Sequence, residues 1–195
     1  MGRGLGGGVL CYNLFMYIFA LGNPGKKYEN TPHNAGQIIA NNLARIEGVE
    51  IVYPDTFMNE SGKFIKKFLD YKNINNTEYK NIVVAYDDID LPIGEFKLAF
   101  GRGDGGHNGL TSVIAELGTK DFIRLRIGIC PTDNNGNARK PKNIFGQNTT
   151  HKYVLRNLSP NEISKLTANS EKIKNILESL YINGYEKTAS QIGVL

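Results

Sequence analysis

The chain has 195 residues, 41% hydrophobic and 22% charged, which fits a soluble globular protein of one ordinary domain rather than a disordered chain. Its 23 Lys+Arg against 19 Asp+Glu give a net charge of +4, compatible with a polyanionic partner without requiring one. Two cysteines, Cys11 and Cys130, exclude a disulfide framework and a four-cysteine zinc site and point to a reducing, cytoplasmic setting.

Residues 1–15 (MGRGLGGGVLCYNLF) are Gly-rich and then apolar. A signal peptide would use Arg3 as its charged start and Val9–Ala20 as its apolar core. No A-x-A site follows, and cleavage near Ala20 would remove the first strand. The preferred reading is a non-native or mis-called extension over 1–15, a start at Met16, and one domain over 16–195. No run of about 20 apolar residues occurs, so no membrane span is expected.

Tyr17–Leu21 reads as a strand ended by the turn Gly22-Asn23-Pro24-Gly25. From His33 to Glu47, apolar residues at Ala35, Ile38, Ile39, Leu43 and Ile46 make a helical stripe. Val49–Tyr53 is a strand, and Asn59 or Ser61 can cap a helix carrying Phe64, Ile65, Phe68 and Leu69. Asn81–Tyr86 is a buried-type strand ending at Asp87-Asp88, and Glu95–Phe100 is the next. The Gly-rich stretch 101–108 precedes a helix over Leu110–Leu117, and Phe122–Ile129 is an alternating strand. Residues 131–148 form a long polar and basic loop, and Pro160–Tyr181 one long amphipathic helix. This alternation predicts an α/β domain with a central mixed, mostly parallel, twisted sheet and helices on both sides.

Ligands of open α/β sheets bind beyond the carboxyl ends of the strands. Gly22–Asn34, Thr56–Gly62, Asp87–Gly94 and Gly101–Gly109 bring polar residues to such places. His33 sits at a helix start, and a carboxylate beside it, with Asp87 the natural partner, would let it take a proton from water. Taken alone, His33 reads equally as a helix-start residue. Asp87, Asp88 and Asp90 could hold magnesium or simply form a surface turn. The glycines before the 110–117 helix could cradle phosphate or be a flexible connection; they form neither a P-loop nor a dinucleotide fingerprint. No His/Cys pair has zinc spacing, and no Ser or Cys nucleophile is supported.

Together the segments LGNPGKKYENTPHNAG (21–36), PDTFMNESG (54–62), DDIDLPIGEFKL (87–98), GRGDGGHNGLTS (101–112), FIRLRIGI (122–129) and YVLRNLSPNE (153–162) resemble bacterial-type peptidyl-tRNA hydrolase, in order, from about Met16 to Tyr185. The resemblance implies one α/β domain and a monomeric cytoplasmic enzyme with no cofactor and no metal. It would cleave the ester joining a peptide to the 3′ ribose of tRNA. The catalytic His of the family falls on His33 and its orienting Asp on Asp87. The site asparagines fall on Asn23, Asn59 and Asn108, and Tyr28 and Met58 match residues lining the peptidyl groove. A phosphate-associated arginine falls on Arg126, and Lys97 and Arg102 are further candidates for tRNA contact.

Two positions depart from the family pattern. Pro32 stands where an arginine is usual, and proline is comfortable in a first helical turn. Ala99 stands where a lysine is frequent, which Lys97 and Arg102 can offset. The expected chemistry is general-base attack by water, with asparagine amides stabilising the oxyanion and reading the peptide amide. A basic surface including Lys97, Arg102, Arg124, Arg126, Arg139 and Lys142 would carry the tRNA, with strong salt dependence. The rivals are a magnesium-dependent phosphohydrolase built on Asp87, Asp88 and Asp90, and a non-enzymatic RNA-binding module. The second lacks an aromatic stacking pattern on a strand.

Overall fold

The computed structural model describes residues 15–133, 135–140 and 149–192. The 1–15 extension, Phe15 apart, and Lys142 within the basic loop lie outside these residues.

Five strands are described: β1 (Met16–Ala20), β2 (Val49–Val52), β3 (Val83–Pro92), β4 (Phe96–Phe100) and β5 (Ile123–Cys130). They form one sheet in the order β2-β1-β3-β5-β4. β1 runs parallel to β2 and β3, and β3 parallel to β5; β4 is antiparallel to β5. The expected mixed, mostly parallel α/β sheet is therefore observed.

Side chains alternate across a strand, so each strand feeds two cores. Ile18, Val83, Ala85, Ile123, Leu125 and Ile127 face one core. There they meet α1 (Ala35–Asn41), α5 (Pro160–Thr167) and α6 (Ser170–Asn183) through residues such as Ile39, Leu166 and Leu177. Tyr17, Phe19, Val84 and Tyr86 face the other core, against α2 (Ser61–Tyr71) and α3 (Asn108–Leu117). Helices thus cover both faces.

Four local expectations change. The helix expected from His33 begins as a 3-10 turn over Pro32–Asn34 and becomes α-helical only over Ala35–Asn41. It stops where the Asn42 side chain donates to the Ile38 carbonyl, so Leu43 and Ile46 reach the core from irregular chain. The long helix expected over 160–181 is two helices, broken at Ala168–Asn169. Asn169 Nδ2 donates to the Gly94 carbonyl at 2.7 Å, and Ser170 Oγ to the Thr167 carbonyl at 2.8 Å, so side chains compete with the helical ladder there. Neither Asn59 nor Ser61 caps α2: Asn59 lies in the preceding 3-10 turn, and Ser61 is the first helical residue with its hydroxyl buried and unpartnered. The strand expected to end at Tyr86 continues through Asp87-Asp88 to Pro92, with a register irregularity after Asp88. Beyond these, α4 (Thr149–Val154) and α7 (Tyr185–Gln191) complete the helices named here.

Candidate active site

From β1 the chain leaves first to β2 on one side and later to β3 on the other. The carboxyl ends of β1 and β3 therefore frame a topological switch point, the usual ligand crevice of an open α/β sheet. His33 arrives there on the turn after β1, and Asp87 on β3. His33 Nδ1 lies 2.8 Å from Asp87 Oδ1, and both residues are buried. An ionised carboxylate only accepts, so Nδ1 carries the proton and His33 Nε2 keeps a lone pair.

The turn that presents His33 is stitched to itself. Asn34 Oδ1 accepts from the Asn23 N–H at 2.9 Å, and Asn34 Nδ2 donates to the Asn23 carbonyl at 3.0 Å. Asn23 Oδ1 accepts from the Met58 N–H at 2.9 Å, which leaves Asn23 Nδ2 as the donor available to a ligand. The sequence marked Asn34 only as the neighbour of His33; the folded turn shows that it holds Asn23 in place.

A second imidazole reaches the same oxygen. His107 Nε2 lies 2.7 Å from Asp87 Oδ1, while His107 Nδ1 accepts the Leu110 N–H at 3.2 Å and caps α3. The cap places the His107 proton on Nε2, directed at Asp87. Burial pushes the Asp87 carboxyl up, but the charges and hydrogen bonds of His107 and His33 outweigh it and hold the group well below the usual carboxylate range. In the sequence His107 stands beside Asn108 at the end of the Gly-rich stretch, and no spacing rule links it to a carboxylate 20 residues earlier.

His33, Asp87, His107 and Asn108 line a cleft of about 370 Å³ whose wall includes Arg102 and Arg126. Asn23, Tyr28, Met58 and Asn59 do not line it. They form an adjoining cluster: the Tyr28 ring meets Phe57 edge-on at 6.4 Å, Met58 is buried, and Asn59 is exposed. Met58 joins this cluster to the cleft, since a Cβ on Gly109 would meet both Met58 Sδ and His107 Cε1.

The acidic cluster does not converge. Asp87 faces the two imidazoles, Asp88 Oδ2 accepts from Arg126 Nε at 2.6 Å, and Asp90 pairs with Lys140. A magnesium ion would have to gather three carboxylates that each already serve different imidazole or cationic partners. His33, Asp87 and His107 do bring three potential ligand atoms within 4.8 Å of one another. Both nitrogens, however, already direct protons at Asp87 Oδ1, and ligation by His107 Nε2 would require breaking its cap on Leu110.

The basic residues separate. Lys97 is exposed on β4, in register with Arg126, and lies outside the cleft. Arg102 is exposed on the cleft wall, and Arg139 is exposed as well. Arg124, expected on a tRNA-binding surface, is only 1% exposed. It shares the sheet face of Tyr86, where the fold closes over it. The Gly-rich loop, which could have been a flexible connection, is tied down. Arg124 Nη1 donates to the Gly103 carbonyl at 2.6 Å and Nη2 to the Arg102 carbonyl, and Asp104 accepts from Gly106 N–H and Thr111 Oγ1. Tyr86 lies beneath, edge-on to His107 at 5.0 Å, with its phenol pushed up to about 12 by burial and by Asp88.

A sequence profile of the peptidyl-tRNA hydrolase family matches residues 17–52 and 47–194. The chain belongs to the peptidyl-tRNA hydrolase family. Among its relatives, a peptidyl-tRNA hydrolase of Prochlorococcus marinus (strain NATL1A) is 33% identical over 197 residues, spanning 90% of this chain and 93% of that protein. One from Marinobacter nauticus is 38% identical over 182 residues, spanning 82% and 85%. The crystal structure of peptidyl-tRNA hydrolase from Acinetobacter baumannii superposes with a TM-score of 0.73 at 27% identity, covering 92% of this chain and 95% of that one. Membership in this hydrolase family agrees with the resemblance carried by the six sequence segments. The His33–Asp87 pair, drawn together from two of those segments, lies at the centre of the candidate site. No helix among the described residues is long and apolar enough to cross a membrane.

Proposed function

We propose that the chain hydrolyses the ester between the peptide and the 3′ ribose of peptidyl-tRNA, with water activated by His33. The observation that carries this reading is the 2.8 Å contact between His33 Nδ1 and Asp87 Oδ1 at the switch point, in a chain of this family. Asp87 holds the imidazole in the tautomer whose Nε2 takes a proton from water, and it steadies the imidazolium that results. General-base assistance of this kind is worth about 10²–10⁴-fold. His107 keeps Asp87 turned toward His33 by donating to the same oxygen.

Asn23, Asn59 and Asn108 bind the substrate and supply amide donors to the oxyanion. Asn23 suits a carbonyl ligand because its own oxygen is engaged by Met58. Tyr28 and Met58 receive the peptide side, and Lys97, Arg102 and Arg126 the phosphates. Arg126 reaches a phosphate while still bonded to Asp88, so it acts as a shared charge rather than a free one. The reaction needs no metal in this reading, because the carboxylates are engaged by imidazole, guanidinium and ammonium groups. The enzyme works as a monomer in the cytoplasm.

The test is release of peptide from an N-blocked aminoacyl-tRNA by purified protein. Unblocked aminoacyl-tRNA, EDTA treatment and His33→Ala run alongside. Cleavage of the blocked substrate alone, unchanged by EDTA and lost in His33→Ala, is expected. Cleavage lost with EDTA returns the chemistry to a metal, and tRNA binding without cleavage leaves a binding module.

A further inference from the structure

We infer that Arg124 is a positioning residue for the reaction: its buried guanidinium holds the Gly-rich loop in the shape that presents His107 and Asn108 to the cleft. This rests on the hydrolase reading above.

The loop needs such a hold. Gly101, Gly105 and Gly106 adopt φ of +66°, +61° and +78°, and a Cβ on Gly103, Gly105 or Gly106 would touch nothing within 4 Å. Apolar packing therefore does not fix these residues, and glycine carries the largest backbone entropy to be lost on ordering. What fixes them is polar. Arg124 spans the neighbouring carbonyls of Arg102 and Gly103 with its two terminal nitrogens. Asp104 then takes the Gly106 N–H, and its carbonyl accepts the His107 N–H at 3.0 Å. The chain from Arg124 to His107 is thus continuous: guanidinium, loop carbonyls, Asp104, His107, Asp87.

Arg124 is an expensive residue to keep for packing alone. Arg126, two residues on and on the same face, has Asp88 as its counter-charge; Arg124 makes no ion pair with a carboxylate among the described residues. Its Nε is buried without a hydrogen-bond partner, and its guanidinium lies 4.8 Å from the Phe122 ring centroid. A buried charge in this state costs more than a neutral side chain of similar size. The return is the planar fork, which reaches two carbonyls at once; an ammonium is a point charge and does not span them in that geometry. Arg124 borders the cleft but is only 1% exposed, which leaves little of it for a tRNA phosphate.

The experiment compares the full chain with Arg124→Lys and Arg124→Met. Amide hydrogen exchange is read over residues 102–107. Values of kcat and KM are read on an N-blocked aminoacyl-tRNA and on a short N-blocked aminoacyl-nucleoside ester, with Tm alongside. Faster loop exchange is expected in both variants. So is a kcat roughly 10- to 100-fold lower on both substrates, as misplacement of a site by about 1 Å produces, with KM little changed. Unchanged loop exchange overturns the inference. So does a loss confined to the tRNA substrate as a raised, salt-dependent KM, which marks a phosphate contact. A lowered Tm with normal kcat per folded molecule also overturns it, leaving a structural residue only. Should Arg124→Met not fold, Arg124→Lys decides. If the unaltered chain releases no peptide, the hydrolase reading fails by itself, and loop exchange still reports whether Arg124 holds the loop.

Discussion

The two sides of the cleft are built differently. The side that carries His33, residues 21–34, is half buried and held by hydrogen bonds: Asn34 to Asn23 in both directions, Asn23 to Met58, and Leu21 N–H to the Ala85 carbonyl at 2.9 Å. Gly36 lets α1 lie directly on the backbone of Leu21 and Ala85. The side that carries His107 and Asn108 is mostly exposed, rich in glycine, and held by Arg124 and by Asp104. The general base thus sits where many contacts determine its position, while the groups opposite it depend on a few hydrogen bonds. Asp87 joins the two sides, because one of its oxygens accepts from both imidazoles.

Cutting that joint should have the largest effect. Asp87→Asn is expected to lower kcat by about 10²–10⁴-fold, approaching His33→Ala, because an amide nitrogen facing His33 no longer selects its tautomer. The same substitution tests the depressed Asp87 pKa. A carboxyl whose folded pKa lies below its unfolded value of about 3.9 contributes stability above that value and loses it as pH falls through the folded pKa. The stability gap between the parent chain and Asp87→Asn should therefore be full near neutral pH and shrink in acid, as measured by denaturant midpoints. A gap that widens in acid would contradict the assignment.

Gly36→Ala attacks the packed side. Its Cβ would stand 2.4 Å from the Ala85 carbonyl oxygen and 2.8 Å from that of Leu21, both backbone atoms that cannot rotate away. A loss of about 1–3 kcal/mol in unfolding free energy is expected. Equal stability in the two chains would show that α1 has room to lift off the sheet.

Thr111→Val should do least. It removes the 2.9 Å bond from Thr111 Oγ1 to Asp104 on an exposed surface, worth about 0.5–1.5 kcal/mol. Little change in kcat is expected, because Arg124 still holds Arg102 and Gly103. A kcat loss as large as that of Arg124→Lys would move the main hold on the loop from Arg124 to Asp104.

Much of this organisation was legible beforehand where it is local or periodic. The alternating apolar residues of β5 and the apolar run of β1 marked strands, and the segment after the Gly-rich stretch marked α3. His33 and Asp87 were legible as chemistry because His33 stands at a helix start after the first strand and Asp87 follows the apolar run of the third. Asn169 defeated the long helix because its partner is a carbonyl 75 residues earlier, in the turn between β3 and β4. Arg124 and Arg126 looked alike, two residues apart on one strand. Asp88 reaches one and not the other, and the Gly-rich loop closes over the other.

The sequence alone determined the α/β class, the order of most elements, the family resemblance, and the imidazole, carboxylate and amides suited to a hydrolytic site. Those features depend on side-chain type and on spacing within one element or turn, where the physics is short-ranged. Tertiary structure decided that His107 shares Asp87 with His33, that the three aspartates face three different sets of cationic or imidazole partners, and that Arg124 serves a loop from the interior. Each of these joins residues 20 or more positions apart, or turns neighbours to opposite faces. Strand register and the path of the chain set such distances, and no local spacing encodes them.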